Sequence, residues 1–142
     1  MSAAQAKLHD RKSIGVLTMT NKHNKILGNF GEDAACNYLK NKGYTIVARN
    51  YSIRGGEIDI IAQSNNCLTF VEVKTRQTAD FGVPAEAVDY RKIEKIRHVI
   101  EHYLSTADYN GDIRADVVEV YGTLELGRFL VSEINHIENI IS

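Results

Sequence analysis

The sequence predicts a single mixed α/β domain in which two helices flank one five-stranded sheet, in the order αβββαββ. Three observations lead to this prediction. Two segments repeat apolar residues at helical spacing, five short segments are rich in β-branched and aromatic residues, and turns containing glycine or asparagine separate them. The chain has 142 residues, 44% of them hydrophobic, which is enough for one adequate core.

The bulk composition limits the class of protein. No segment approaches the roughly 18 uninterrupted apolar residues of a membrane span, and the N-terminus lacks a secretory pattern, so we expect a cytoplasmic protein. Cys36 and Cys67 lack the spacing of a zinc ribbon or a disulfide framework. The net charge is −1, but residues 1–27 carry five basic residues against one acidic residue. We expect residues 1–25 to be a basic, flexible arm and residues 26–142 to form the domain.

The first helix is predicted over residues 26–42, where apolar residues recur on one helix face and Gly43 follows as a stop. The apolar residues are Leu27, Phe30, Ala34 or Ala35, and Tyr38 or Leu39. Three antiparallel strands are predicted next, over residues 44–51, 57–63 and 67–75.

The second half of the chain predicts one further helix and two strands. After a loop that holds the only proline, Pro84, a helix is expected over residues 89–104. Its inner face would carry Ile93, Ile96, Ile100 and Tyr103. Strands four and five are expected over residues 114–121 and 129–137, and the helical crossover would make strand four parallel to strand three.

The turn Asn65-Asn66 predicts how strands two and three pair. If these two residues form a tight turn, Ser64 pairs with Cys67 and every further pair follows from that one. One face then pairs apolar residues, namely Ile60 with Val71, Ile58 with Val73, and Ala62 with Thr69. The other face pairs Ile61 with Phe70, Asp59 with Glu72, and Glu57 with Lys74. The register therefore predicts four ionisable side chains on one face, where strand two begins and strand three ends.

Asp59 and Glu72 are the pair that predicts chemistry. Directly opposed side chains have Cβ atoms roughly 5 Å apart, and like charges so placed need compensation. Mg²⁺ or Mn²⁺ accepts two carboxylates together with waters and phosphate oxygens, and it lowers the pKa of a bound water. Lys74 on the same face would orient that water or neutralise charge. The alternative is an ordinary ion pair between Glu57 and Lys74, with one of the two acids protonated or turned away.

Two motifs carry a family resemblance, Gly-Glu-Ile-Asp-Ile-Ile-Ala at residues 56–62 and Phe-Val-Glu-Val-Lys-Thr-Arg at residues 70–76. With these motifs the chain resembles the YraN-like family of uncharacterised bacterial proteins, in the restriction-endonuclease-like PD-(D/E)XK superfamily that also includes archaeal Holliday-junction resolvases. The resemblance covers about residues 28–121. It implies a restriction-endonuclease-like mixed sheet flanked by helices, and an Mg²⁺-dependent endonuclease that hydrolyses phosphodiester bonds in DNA, with branched or damaged DNA among its substrates.

The same resemblance implies roles for individual residues. Asp59 and Glu72 would be metal ligands, the Val73 carbonyl a third ligand, Lys74 the catalytic lysine, and Glu32 an additional acidic residue from helix one. For Glu32, a role at the start of a helix remains equally open.

Asp116 on strand four has an open role, because Ala115 precedes it where the family usually has an aromatic residue. Arg54 and Arg76 flank the acidic residues, and Lys92 lies on helix two within the region of resemblance. We expect these three to contact nucleic acid, although exposed basic side chains are often only solvated. A homodimer is a further expectation.

Two rival functions remain open. One is a nucleic-acid- or partner-binding module that keeps a nuclease scaffold without turnover. The other is a zinc hydrolase centred on His98 and His102, whose spacing matches a His-x-x-Glu-His pattern.

Overall fold

The computed structural model of the protein describes residues 3–77 and 90–141, with side chains from residue 22 onward. The helices are α1 (Ala3–Asn41) and α2 (Tyr90–Thr106), and the strands are β1 (Thr45–Ile53), β2 (Gly56–Ser64), β3 (Cys67–Gln77), β4 (Asp112–Glu125) and β5 (Arg128–Ile137). Their order is the predicted αβββαββ. The loop around Pro84 and residues 86–88 lie outside the described residues.

Helix α1 is much longer than predicted, because it begins at Ala3 rather than near Ile26. The preceding residues are mostly good helix formers and contain no proline, so nothing in their local chemistry ends the helix. Its end is as predicted. Gly43 has φ of 97°, and its N–H donates to the Lys40 carbonyl at 3.0 Å. The separate, flexible arm over residues 1–25 stays a prediction.

The five strands form one mixed sheet in the order β1-β2-β3-β4-β5. Three of the neighbouring pairs are antiparallel, and β3 with β4 is parallel over the whole length of β3, as the helical crossover predicts. A mixed α/β domain with a five-stranded sheet and two helices is therefore confirmed.

The core has two parts, one on each face of the sheet. On the α1 face, Ala35, Cys36 and Leu39 pack with sheet residues that include Ile60 and Val71. On the α2 face, Ile96, Val99 and Ile100 pack with sheet residues that include Ile58, Ile61 and Phe70. Both predicted helix faces are thus directed at the sheet.

The predicted register of β2 and β3 is confirmed near the turn and wrong beyond it. The pairs run from Ser64 with Cys67 to Ile60 with Val71, and Asn65 in the turn has φ of 53°. The predicted pairs at Ile58, Asp59 and Glu57 are absent from this ladder in the described part of the chain. Ile58 also packs on the α2 face and not beside Ile60, so its predicted face is wrong.

In the described ranges, the chain contains no helix that is both long enough and apolar enough to cross a membrane.

Candidate functional site

Asp59 lies where β2 and β3 separate. Beyond Ile60, strand β2 stays paired with β1, while β3 stays paired with β4. In the resulting gap, the Val73 N–H donates to Oδ2 of Asp59 at 2.7 Å. If the β2–β3 ladder continued, the Val73 N–H would donate to a backbone carbonyl of β2. Here the Asp59 carboxylate accepts that hydrogen bond in place of the backbone.

The environment of Asp59 disfavours its negative charge. The pKa of Asp59 is raised to about 6, chiefly by burial and also by the charges of Glu72, Glu32 and Glu57, while the Val73 hydrogen bond acts to lower it. The four carboxylates therefore interact electrostatically across the gap between β2 and β3, although they come from three different elements.

Glu72 is paired with two lysines. Lys92 Nζ from α2 forms an ion pair with Oε1 of Glu72, and Lys74 Nζ lies 3.9 Å from the same oxygen. Burial lowers the pKa of Lys92, but its contacts, chiefly with Glu72, outweigh this and the net shift is upward. Lys92 was predicted to contact nucleic acid; in the structure it contacts the predicted metal ligand directly.

Glu32 approaches Asp59 from the α1 side. Its side chain is only 10% exposed, and Oε1 accepts hydrogen bonds from Arg49 Nε at 2.9 Å and from Asn50 Nδ2 at 3.0 Å. Since α1 begins at Ala3, Glu32 lies well inside the helix, so the alternative role at a helix start is wrong.

Two cavities meet at Asp59. A cavity of about 700 Å³ on the α2 side is lined by Glu57, Asp59, Glu72 and Lys92, among others. A cavity of about 350 Å³ on the α1 side is lined by Lys25, Glu32, Asp59 and Val73, among others. The predicted acidic residues and the Val73 backbone thus border solvent-accessible space on both sides of one carboxylate.

A hydrated divalent cation fits the chemistry of these donors. Mg²⁺ and Mn²⁺ prefer oxygen ligands, and Mg²⁺ keeps several waters, so it needs only one or two protein carboxylates in direct contact. Asp59 supplies a half-buried carboxylate whose ionisation is opposed by neighbouring acids, and a cation would relieve that repulsion. Asp59 and Glu72, with Glu32 and the Val73 carbonyl, are the groups that would hold the ion.

Three further predicted site residues are Glu57, Arg54 and Arg76, and of these Glu57 borders the larger cavity. Glu57 is exposed, and the described β2–β3 ladder ends at Ile60 with Val71, so its predicted pairing with Lys74 is wrong. Arg54 is exposed in the turn between β1 and β2. Arg76 is half-buried, and its Nε lies 3.8 Å from Oε2 of Glu119 on β4.

Asp116 has a structural role. It is fully buried and accepts hydrogen bonds from Arg114 at 2.9 and 3.0 Å, from His136 at 2.7 Å and from the Asn139 N–H at 2.9 Å. These bonds hold the pKa of Asp116 below its usual value despite burial, which acts in the opposite direction. With His136 and Glu138 it forms the one described group of three side chains whose possible metal-ligand atoms lie within 4.8 Å of one another. Arg114 forms ion pairs with both acids of that group.

The zinc alternative gains no support from the described residues. His102 Nδ1 is 3.0 Å from the Tyr51 hydroxyl, and both His102 and His98 are exposed on α2. No third described ligand joins them at metal-binding distance.

The sequence comparisons identify the family. Residues 31–120 match the uncharacterised protein family UPF0102. The chain belongs to this family. It is 47% identical over 122 residues to a UPF0102 protein of Alkaliphilus oremlandii, and the aligned region covers 82% of this chain and 97% of the relative. It is also 44% identical over 118 residues to a UPF0102 protein of Clostridioides difficile, covering 82% and 97% respectively. The expected YraN-like family is thereby confirmed.

Sequence reasoning missed three partners of the site in this UPF0102 protein. Arg49 and Asn50 hold Glu32, and Glu119 lies beside Arg76. For Asn50 a signal existed, because the two-residue turn Arg54-Gly55 sets the pairing of β1 with β2 and thereby brings Asn50 level with Asp59. For Glu119 none did, since its contact depends on the register of the parallel β3–β4 pair, which no connecting turn sets.

Proposed function

We propose that this UPF0102 protein is an Mg²⁺- or Mn²⁺-dependent endonuclease that hydrolyses phosphodiester bonds in DNA. The observation that carries the proposal is the group of carboxylates around Asp59, at a break between two strands and beside two lysines. We also propose that the fold is that of the restriction-endonuclease-like PD-(D/E)XK superfamily. The αβββαββ order and the parallel β3–β4 pair support this assignment.

The divalent ion would polarise the phosphodiester and lower the pKa of an attacking water. The protein side chains contribute orientation and charge. Lys74 Nζ lies 3.9 Å from Oε1 of Glu72, which lines the larger cavity. From there its ammonium would orient the water or stabilise negative charge on the phosphoryl oxygens. Lys92 and Lys95 border the same cavity and supply positive charge for the phosphate backbone.

The test is cleavage of single-stranded, duplex and four-way-junction DNA by the full chain with Mg²⁺ or Mn²⁺. The wild type is expected to cleave at least one of these forms. The cleavage rate should fall by a factor of at least about 100 in Asp59→Asn and in Lys74→Met, which is the size of effect expected when a proton-transfer or charge-stabilising group is removed. Asp108→Asn, an exposed acid after α2, is the matched control. Equal cleavage by the wild type and both site variants would contradict the proposal.

A specific contact favours the second candidate, a nucleic-acid-binding module without turnover. Because Lys92 already pairs with Glu72, the acidic group is partly neutralised without any metal ion. The module predicts DNA retention that is independent of divalent ions and survives in Glu72→Gln. Cleavage by the wild type eliminates it. A preference for branched DNA is a further proposal, which the same panel of DNA substrates tests. Formation of a homodimer is another, which sedimentation analysis tests.

A further inference from the structure

We propose that Arg49 and Asn50 are positioning residues that hold Glu32 so that its carboxylate completes the divalent-cation site on the α1 side of Asp59. This inference rests on the proposed function, because it concerns the same site. It assigns a role to two residues of β1 that the sequence motifs do not include.

The backbone of β1 brings Asn50 level with Asp59. Arg49 pairs with Ile60 and Tyr51 pairs with Ile58, so Asn50 and Asp59 lie between the same two pairs. Asn50 has φ of 52°, a left-handed conformation that is uncommon for residues other than glycine and that asparagine tolerates better than most. This irregularity occurs within the strand, where β2 also leaves β3, and it accompanies the hydrogen bond from Asn50 to Glu32.

The hydrogen bonds to Glu32 use only one of its oxygens. Arg49 Nε and Asn50 Nδ2 both donate to Oε1, while Arg49 Nη2 donates to Oδ1 of Asp33 at 2.7 Å. Arg49 therefore bridges two neighbouring acids of α1 and does not form a two-pronged pair with Glu32. Among the described residues no hydrogen bond ends on Oε2 of Glu32, so that oxygen is available to a cation or to one of its waters.

The location of Glu32 gives this free oxygen a use. Glu32, Asp59 and Val73 line the same cavity of about 350 Å³, and the charge of Glu32 acts on Asp59. The Glu32 side chain is only 10% exposed, and Arg49 provides its ion-pair partner. Arg49 and Asn50 thus fix the orientation of Glu32 and leave one oxygen for the cavity. Groups that orient metal ligands in this way commonly change metal affinity.

The decisive variant is Asn50→Gly. Glycine accepts the positive φ without strain, so the change removes the amide and keeps the backbone conformation. The matched control is Asn65→Gly, which makes the same substitution at φ of 53° in the β2–β3 turn. Asn65 does not line either of the two cavities at Asp59. Arg49→Met removes the second donor.

Mn²⁺ binding to the full-length protein is measured by electron paramagnetic resonance of free Mn²⁺, with thermal unfolding as a check on folding. Asn50→Gly is expected to weaken Mn²⁺ binding about tenfold while the protein still unfolds in one cooperative transition, and Asn65→Gly is expected to leave binding unchanged. In a Glu32→Gln background, Asn50→Gly should have no further effect, since it acts through Glu32. Arg49→Met should weaken binding at least as much as Asn50→Gly.

The outcomes separate this inference from the proposed function. Wild-type binding of Mn²⁺ that Asn50→Gly and Arg49→Met leave unchanged would overturn the positioning role alone. An equal further loss in the Glu32→Gln background would also overturn it, because the two residues would then act independently of Glu32. Absence of Mn²⁺ binding in the wild type would overturn both the inference and the proposed metal-dependent activity.

Discussion

Replacing Asp59 by asparagine should stabilise the metal-free protein at neutral pH. The pKa of Asp59 rises from 3.8 to about 6 on folding, chiefly through burial. The folded state therefore holds the Asp59 proton more tightly than the unfolded state. The stability contributed by this group is full below pH 3.8, falls as the pH rises through the window between 3.8 and about 6, and stays low above it. Asparagine removes the charge, and its side-chain oxygen can still accept the Val73 N–H.

The size of the effect follows from the pKa shift. A shift of about 2 units corresponds to about 3 kcal/mol, and partial solvent exposure of Asp59 reduces the expected gain to about 1–2 kcal/mol. For a chain of this length that gain raises the melting temperature by about 4 °C per kcal/mol.

The assay is calorimetry of the wild type and Asp59→Asn with a chelator, at pH 7.5 and pH 4. The variant should melt higher at pH 7.5, and the difference should nearly disappear at pH 4. The exposed acid Asp108 provides the control, since Asp108→Asn should melt like the wild type at both pH values. A variant that is no more stable than the wild type at pH 7.5 would refute the electrostatic reasoning.

Three further predictions concern the surroundings of the site. Lys92→Met should strengthen Mn²⁺ binding about fivefold, or about 1 kcal/mol, because the ion no longer competes with an ammonium for Glu72. A Mn²⁺ titration measures this, and weaker binding in the variant would contradict it. Asp116→Asn should lower the unfolding free energy by about 3 kcal/mol in denaturant titrations without changing Mn²⁺ affinity, and a metal defect would reject its purely structural role. Gly31→Ala should lower the free energy of unfolding by about 1–3 kcal/mol, since the new methyl group would overlap the Thr75 side chain. If the variant is as stable as the wild type, α1 can move off β3 at no cost, which would contradict the prediction.

The β2–β3 turn shows how far local sequence information extends. Asn65-Asn66 correctly predicted the pairing up to Ile60 with Val71. The extrapolation to Asp59 failed because it assumed a continuous ladder. The ladder ends where the Asp59 side chain accepts the hydrogen bond from the Val73 N–H. The pattern of apolar residues does not indicate whether a side chain or the backbone accepts such a bond.

Contacts between elements distant in the chain were the least predictable part of the site. The helical face of α2 was correctly predicted from Ile96 and Ile100, which are buried. The ion pair of Lys92 with Glu72 depends on how α2 crosses the sheet, and helical periodicity alone does not fix that crossing. The early start of α1 was missed because its first residues lack an apolar face, although their helix propensity allowed a helix.

The most direct test of the central claim is anomalous diffraction from crystals of the wild-type protein soaked in Mn²⁺. We expect an anomalous peak between the carboxylates of Asp59 and Glu72, with the Lys92 ammonium displaced from Glu72. A peak only at Asp116, His136 and Glu138, or no peak at any carboxylate, would contradict the claim that the gap between β2 and β3 holds a divalent cation.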